Sequence, residues 1–326
     1  MTRRQHVLIV GGTGFLGYHA ARELLAKGMR VTALGLPPAP PPDLFPESVQ
    51  VILCNVDQTS DEELLRMLRG HDALVFAAGM DDRVTPTRPA YPAFRHANVE
   101  TPVRLLTLAK QAGVKRAVVL GSYFAHFDRL WPELHLAEHH PYIRSRVEQE
   151  KAVTSIPGLD VDVLELPYIF GAMPVPGWRP MWRPLIQYLR GLPLVAYMRG
   201  GTACISARTV GRAVAGAIEQ GNASTCYPIG GENLTWAEML TRLAAADGRR
   251  VRVVTIPDWL LKVGLFFVWL VHALQGREGG LDLRRFAPLQ TARAFLDPEP
   301  SSTALGYEVA GLDEAFRQTV EACIKG

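Results

Sequence analysis

A chain of 326 residues is long enough to bury a large core, as one large domain or as two interlocked ones. Apolar residues make up 48% and charged residues 21%, as is ordinary for a globular protein. The net charge of +3 is too weak to indicate nucleic acid as a partner, and the four scattered cysteines form no CxxC pair. We therefore expect free thiols in a reducing, cytoplasmic compartment. The start, MTRRQHVLIVGG, lacks a small-residue cleavage site, so we interpret it as a first strand and not as an export signal.

The amino-terminal segment predicts a strand, a glycine-rich loop, a helix and a second strand. Its pieces are HVLIV (6–10), GGTGFLG (11–17), YHAARELLAKG (18–28) and MRVTALGL (29–36). Gly11 permits a tight turn, Gly14 leaves room for a pyrophosphate, and Gly17 lets the helix pack close to the strand. The helix amino terminus offers free N–H groups and a positive dipole end to phosphate. In this setting the loop predicts dinucleotide binding and not merely a tight turn.

Strands and helices continue to alternate for more than a hundred residues. They are VQVILCNV (49–56), SDEELLRMLRG (60–70), HDALVFAAG (71–79), NVETPVRLLTLAKQAGVKR (98–116) and AVVLGS (117–122). Ser60 and Glu63 have the spacing of a capping box. The alternation predicts an α/β, doubly wound fold. Ligands of such sheets bind at the carboxyl ends of strands, where Gly11, Gly79 and Ser122 all fall.

Seven segments along the whole chain carry a family resemblance. They are GGTGFLG (11–17), FAAG (76–79), NVETPVRLLTLAKQAGVKRAVVLGS (98–122), YIRSRVEQE (142–150), LPYIFG (166–171), YPIGGENLTWAEML (227–240) and ALGYEVAGLDEAFRQTV (304–320). The chain resembles the extended short-chain dehydrogenases/reductases, which include NAD-dependent epimerases/dehydratases, 3β-hydroxysteroid dehydrogenases and dihydroflavonol reductases. The resemblance implies a Rossmann-type doubly wound parallel sheet with a smaller carboxyl-terminal substrate-binding lobe. Residues 1–172 and about 202–228 would form the dinucleotide-binding domain, and 173–201 and 229–326 the lobe.

The segment HPYIRSRVEQE (140–150) matches the catalytic helix of that family with one departure. Tyr142 falls on the tyrosine that exchanges a proton with the reacting oxygen, and Ser122 on the serine that hydrogen-bonds this oxygen. Arg146 stands where the family has the lysine that holds the nicotinamide ribose and lowers the tyrosine pKa. A phenol titrates near pH 10 unaided, and a fixed positive charge lowers that pKa. Arginine supplies such a charge permanently, although with a planar fork in place of a point charge.

The same resemblance assigns the cofactor contacts. The residues that it implies are Gly11, Gly14, Phe15, Leu16, Gly17, Gly35, Asn55, Val56, Ala77, Ala78, Gly79, Asn98, Tyr142, Arg146, Pro167 and Ile169. Gly35 occupies the end of the second strand, where an acid would bind the ribose hydroxyls of NAD. The acid is missing, but a proline-rich stretch follows and not the arginine that favours NADP. The cofactor is expected to be NADP or NAD, with a slight preference for NADP.

The substrate side of the sequence is rich in large apolar residues. Trp178, Met181, Trp182 and Tyr188 fall between residues 173 and 201; most of them are expected in the lobe core. Sugar epimerases usually carry an asparagine where Tyr168 stands, so its absence argues against a nucleotide-sugar. The expected substrate is a small apolar molecule.

Residues 258–276, DWLLKVGLFFVWLVHALQG, form the other unusual segment. The stretch is slightly short for a membrane span, which needs about 20 apolar residues. A helix that is apolar all round is normally buried, so we predict packing in the core or in a homodimer. Shallow membrane docking is the less favoured alternative. His135, His139 and His140 lack a partner cluster, so they are interpreted as polar loop residues and no metal site is predicted.

Three function classes remain open from the sequence. The first is an NAD(P)-dependent oxidoreductase that transfers hydride on an alcohol or ketone, and we favour it. The second is a nucleotide-sugar epimerase or dehydratase of the same fold. The third is a non-catalytic NAD(P)-binding sensor or regulatory protein, which the arginine at position 146 makes plausible. Fold alone does not decide among them.

Overall fold

The computed structural model describes residues 4–222 and 224–325, so residues 1–3 of the predicted first-strand segment lie outside the described residues. The strands are β1 His6–Val10, β2 Arg30–Gly35, β3 Gln50–Leu53, β4 Ala73–Phe76, β5 Arg116–Ser122, β6 Asp160–Leu166, β7 Tyr168–Phe170, β8 Leu194–Tyr197, β9 Gly201–Ser206, β10 Cys226–Pro228, β11 Glu232–Thr235, β12 Arg252–Thr255 and β13 Arg293–Ala294. Seven of them form a parallel sheet in the order β10-β6-β5-β4-β1-β2-β3. This order is that of a Rossmann fold extended by one strand, as predicted.

Helices cover both faces of this sheet. They are α1 Phe15–Ala26, α2 Asp61–Leu68, α3 Tyr91–Arg95, α4 Thr101–Gln111, α5 Tyr123–Leu130, α6 Leu136–His139, α7 Pro141–Thr154, α8 Arg183–Gly191, α9 Ala207–Gln220, α10 Trp236–Ala246, α11 Asp258–Leu274, α12 Phe286–Thr291, α13 Glu299–Leu305 and α14 Leu312–Lys325. Helices α1 and α9 bury apolar side chains on one face, and α2, α4 and α7 on the other. Because strands such as β1 and β4 are apolar on both faces, the sheet has to be covered on both sides.

Two smaller sheets accompany the carboxyl-terminal helices. Strand β9 pairs with β7, β11 and β13, and β8 pairs with β12. The predicted boundaries assign β7 and most of β9 to the dinucleotide-binding domain, whereas β9 pairs with β11 and β13 of the predicted lobe. Helices α8, α10 and α14 share a third apolar core with this region. The two predicted domains are therefore joined by strand pairing through β9 as well as by the chain segments that connect them.

Local signals in the sequence placed several element ends. Ser60 caps α2 by accepting a hydrogen bond from the Glu63 N–H, and the Glu63 carboxylate contacts the Ser60 hydroxyl instead of its backbone N–H. The helix expected over 98–116 is shorter: a π-helical turn, His96–Glu100, precedes α4. Asn98 lies in this turn, and its side chain contacts the Met80 backbone shortly after the end of β4.

Helix α11 differs from its predicted environment. None of its residues is buried, so packing in the core of one chain is wrong. Trp259, Phe267 and Leu274 are 66%, 59% and 80% exposed. Among the described residues, no helix combines the length and apolar character that a membrane crossing requires. Packing of α11 in a homodimer stays a prediction.

Candidate active site

A cleft of about 750 Å³ opens at the carboxyl ends of β1, β4 and β5, between the main sheet and the carboxyl-terminal region. It brings together ten of the residues that the sequence assigned: Phe15, Leu16, Ala77, Ala78, Gly79, Ser122, Tyr142, Arg146, Pro167 and Ile169. They come from five separate stretches of the chain, which meet because parallel strands present their carboxyl ends at one edge.

The glycine loop lies beside this cleft and not in its wall. Gly11 has a positive φ of 78°, and a Cβ atom on Gly17 would lie 2.1 Å from the Gly11 carbonyl oxygen. A side chain at Gly17 would thus push α1 off the loop. A Cβ atom on Gly14, in contrast, meets only that oxygen, at 3.2 Å. Gly14 faces open space, where a ligand could approach the backbone.

The remaining predicted cofactor residues lie away from the cleft. Asn55 and Val56 follow β3; the Asn55 side chain accepts from the Asp57 N–H, and the Val56 carbonyl accepts from Arg104. Gly35 ends β2, where a Cβ atom would lie 2.0 Å from the Thr13 hydroxyl oxygen. The position therefore excludes an acidic side chain sterically as long as Thr13 is present.

Asn98 is fully buried and its amide is engaged by protein groups. Its oxygen accepts from the Met80 N–H at 2.8 Å, and its nitrogen donates to the Met80 carbonyl and to the Ser145 hydroxyl, both at 3.1 Å. The side chain consequently fixes the turn after Gly79, whose φ is +128°. Asn98 positions the cleft wall and does not line it.

Ser122 and Tyr142 both line the cleft, and their side chains are close enough for hydrogen bonding. Ser122 ends β5 and caps α5, accepting weakly from the Phe124 N–H at 3.4 Å. Tyr142 begins α7, and its backbone N–H donates to the Gly280 carbonyl at 2.9 Å. Both side chains are 5% exposed. This geometry lets one reacting oxygen contact a serine hydroxyl and a phenol.

Burial raises the pKa of the Tyr142 phenol above its usual value. The Arg146 charge lowers this pKa, the Asp82 and Asp81 carboxylates raise it, and hydrogen bonding to Ser122 lowers it. The sequence pointed to Arg146 as the group that lowers the pKa. The structure adds that desolvation outweighs this effect in the protein alone.

Arg146 is 7% exposed and its guanidinium carbon lies 5.1 Å from the centroid of the Tyr142 ring. One terminal nitrogen donates to the Leu120 carbonyl at 3.3 Å and to the Gln149 side-chain oxygen at 3.0 Å. Both terminal nitrogens lie close to Gly79, where a Cβ atom would be 3.6 and 3.7 Å from them, and Nε is buried without a hydrogen-bond partner. Arginine thus anchors on protein acceptors with one arm and keeps donors for a ligand.

Three consecutive charged residues in the cleft, Asp81, Asp82 and Arg83, were missed from the sequence. Arg83 forms a two-armed ion pair with Asp81, both contacts at 2.5 Å, and its guanidinium lies 5.9 Å from the Trp182 ring. Burial, with the neighbouring Asp81 charge, raises the pKa of Asp82 to about 7. Their position close after the small residues AAG (77–79), with only Met80 between, was the available signal.

A glycine pair also supports the site unexpectedly. A Cβ atom on Gly280 would lie 2.8 Å from the Tyr142 Cβ and 2.7 Å from the Phe94 ring. Nearby, His140 is buried, and its Nδ1 accepts from the Asp282 N–H at 2.9 Å. His140 lies in the connection between α6 and α7, as predicted, but it is buried because the segment 279–286 packs against it. The dipeptide GG in the sequence was a signal of close backbone approach.

The residues present fit a dinucleotide. No side chain caps the amino terminus of α1 and no acid lies in its first turn, so its N–H groups are free for phosphate. The open space over Gly14 suits the central pyrophosphate of such a ligand, and the unpartnered Arg146 Nε suits a ribose hydroxyl. Phe15, Leu16 and the loop backbone would hold its phosphates, and Arg146 its nicotinamide ribose.

This architecture defines a dinucleotide-binding α/β protein with a serine–tyrosine–cation site. The chain belongs to the NAD dependent epimerase/dehydratase family, whose model matches residues 7–174. The resemblance drawn from the motifs is confirmed. The protein is accordingly an NAD-dependent enzyme with a Rossmann fold.

Individual relatives are distant. A curated protein of Synechocystis sp. named "Putative dihydroflavonol 4-reductase" is 24% identical over 96% of this chain and 92% of its own. The solved UDP-glucose 4-epimerase from Bifidobacterium longum, in complex with NAD+ and UDP, superposes with a TM-score of 0.71 at 16% identity over 99% of both chains. A nucleoside-diphosphate-sugar epimerase from Pseudomonas aeruginosa gives 0.71 at 19% identity over 98% of this chain and 97% of its own. At these identities the structural likeness shows the fold alone.

Proposed function

We propose that the protein transfers hydride between a nicotinamide cofactor and an apolar alcohol or ketone. The character of the cleft wall opposite Ser122 and Tyr142 carries this proposal. That wall is formed mostly by large apolar side chains: Tyr168, Met181, Trp182, Val268, Leu281, Leu283 and Phe286. A ring system or other apolar body would fill it with its reacting oxygen toward the two hydroxyls.

The charges of the cleft argue against a nucleotide diphosphate on the substrate side. Of the arginines that line it among the described residues, Arg83 is engaged by Asp81, and Arg146 is buried beside the phenol. Asp82 adds a second carboxyl group. A diphosphate binds best to unengaged cations and N–H donors, and Asp81 and Asp82 offset the charges of the two arginines in the cleft. The tyrosine at position 168, where epimerases usually carry asparagine, points the same way.

Each polar residue has a defined role in this proposal. Ser122 orients the substrate oxygen, Tyr142 gives or takes its proton, and Arg146 supplies a fixed positive charge beside the phenol. The bound nicotinamide supplies or accepts the hydride. Such a charge favours the phenolate, which burial alone would disfavour.

The proposed cofactor preference is NADP over NAD. The end of β2 carries no acid that would repel a 2′-phosphate. The close approach of Thr13 to Gly35 leaves no room for such a side chain at this position. Paired calorimetric titrations with NADPH and NADH measure the preference. Tighter binding of NADH would reverse it.

The function itself is tested with a panel of cyclic and aromatic ketones in the presence of NADPH or NADH. We expect a net loss of reduced-nicotinamide absorbance with at least one ketone, and its near-abolition in Ser122→Ala and Tyr142→Phe. A nucleotide-sugar epimerase is the second candidate, favoured by the UDP-sugar enzymes among the similar folds. Conversion of UDP-glucose without net absorbance change would establish it instead. Cofactor binding without turnover of either class would favour the regulatory alternative.

A further inference from the structure

Helix α11 presents a continuous apolar surface away from the protein. The residues of this outer face are Trp259, Leu260, Val263, Phe266, Phe267, Val271 and Leu274, each at least 43% exposed. The opposite side, with Leu261, Leu265 and Trp269, is half-buried against the protein. A helix of 17 residues is about 26 Å long. Exposed apolar surface of this extent indicates an interaction site.

The chain segment that contains this outer face is basic. Residues 247–293 contain eight arginines and lysines against four acids, a net +4 in a chain whose total is +3. Three of the acids are already paired: Asp247 with Arg190, Asp258 with Arg199 and Asp282 with Arg284. Lys262 is exposed on the helix itself. Basic residues around an apolar helix complement anionic lipid headgroups.

The same charges disfavour a second copy of the chain as the occupant. A symmetric contact through the outer face would bring two basic segments together, with like-charge repulsion between them. A bilayer surface has the opposite charge and accepts apolar side chains below its headgroups. Tryptophan and phenylalanine are suited to that boundary, and Trp259 is among the most exposed residues of the face.

We propose that α11 docks the protein on the surface of an anionic lipid bilayer. The outer face lies among the upper acyl chains, and Lys262 and the neighbouring arginines contact headgroups. Val268 and His272 of the same helix line the cleft, so docking brings the cleft close to the lipid. Access of an apolar substrate from the bilayer rests on the proposed function, whereas docking itself does not.

Vesicle flotation tests the docking without substrate or turnover. The wild type is floated with vesicles of phosphatidylcholine containing phosphatidylglycerol, and with phosphatidylcholine alone. The variant Phe267→Asp is compared with Leu130→Asp, because these positions are 59% and 55% exposed on helices at different places of the surface. We expect the wild type and Leu130→Asp to float with the anionic vesicles. Phe267→Asp should lose about tenfold or more in partitioning, as the loss of one buried phenylalanine implies.

Several results would overturn docking. The wild type could remain unbound to anionic vesicles, or Phe267→Asp could float as well as Leu130→Asp. Light scattering could reveal a dimer that only Phe267→Asp dissociates, with no vesicle binding, and the occupant would then be a second copy. Circular dichroism and cofactor titration establish that both variants are folded. Failure of the ketone assay would leave flotation unaffected, so the two proposals fail separately.

Discussion

Replacing Arg146 by glutamine removes the positive charge beside the Tyr142 phenol and keeps a polar side chain in its place. The guanidinium carbon lies 5.1 Å from the ring centroid. At an effective dielectric constant of about 20, a unit charge at about 5 Å contributes about 3 kcal/mol to the phenolate. Loss of this charge therefore raises the pKa of the Tyr142 phenol.

The consequence is measurable in the alcohol-oxidising direction, where the phenolate takes the proton. We expect the midpoint of the pH–rate profile to move to higher pH in Arg146→Gln, and the rate below that midpoint to fall about a hundredfold, as about 3 kcal/mol implies. Arg146→Lys should keep a midpoint close to that of the wild type, because it keeps the charge. Arg144→Gln is the matched control, since Arg144 lies on the same helix but is exposed and paired with Glu148.

The pH–rate profiles are measured with the alcohol that corresponds to the ketone identified in the panel. An unchanged midpoint in Arg146→Gln would show that arginine is not the charge that tunes this phenol. A shift of equal size in Arg144→Gln would show a general charge effect and refute the local explanation. Tyr142→Phe should lose about 10²–10⁴ in rate with cofactor binding nearly intact.

Further predictions address the loop, the cleft acid and acid stability. Gly14→Val should abolish cofactor binding in a fold that stays intact. Gly17→Ala should abolish cofactor binding and also lower the unfolding free energy by about 1–3 kcal/mol. Gly264→Ala is the control because open space surrounds Gly264, and equal denaturation curves for the three variants would contradict the destabilisation by Gly17→Ala. Asp82→Asn should move the pH–rate profile to lower pH, because its carboxylate raises the pKa of the site phenol; no shift would refute this coupling. Burial lowers the pKa of His140 from 6.5 to about 4, so its neutral form contributes up to about 3 kcal/mol of stability above pH 6.5 that is lost as the pH falls toward 4. Denaturant unfolding across this range should show a shallower loss in His140→Gln, and an equal loss would contradict it.

The sequence predicted the main sheet because its strands carry strong local signals. β1 is bounded by a polar start and by glycines, and its residues 6–10 form the strand as predicted. The periodic helices between strands made parallel pairing the only simple connection. Boundaries were less certain where a side chain with a distant partner decides them. The π-helical turn His96–Glu100 is such a case, since the side chain of its residue Asn98 bonds the Met80 backbone 18 residues away.

Much of the candidate site could also be predicted, because its residues lie in segments with a fixed order along the chain. Ser122, Tyr142 and Arg146 meet as expected from strand end and helix spacing. Asp82 and Gly280 could not be placed in the same way. Asp82 lies in a loop whose path no periodicity defines, and Gly280 approaches Tyr142 from 138 positions away in the chain.

Helix α11 shows a more basic limit of periodicity. Where apolar and polar residues alternate around a helix, the pattern tells which side faces the protein. Where every side is apolar, the pattern states only that water is unfavourable on every side, and it does not say what replaces the water. The structure covers one side of α11 with the protein and leaves the other to an outside surface. The rule that an apolar helix is buried therefore still holds for α11 if burial includes contact with a bilayer. The net charge of the neighbouring residues distinguishes a bilayer from a second copy of the chain as the occupant.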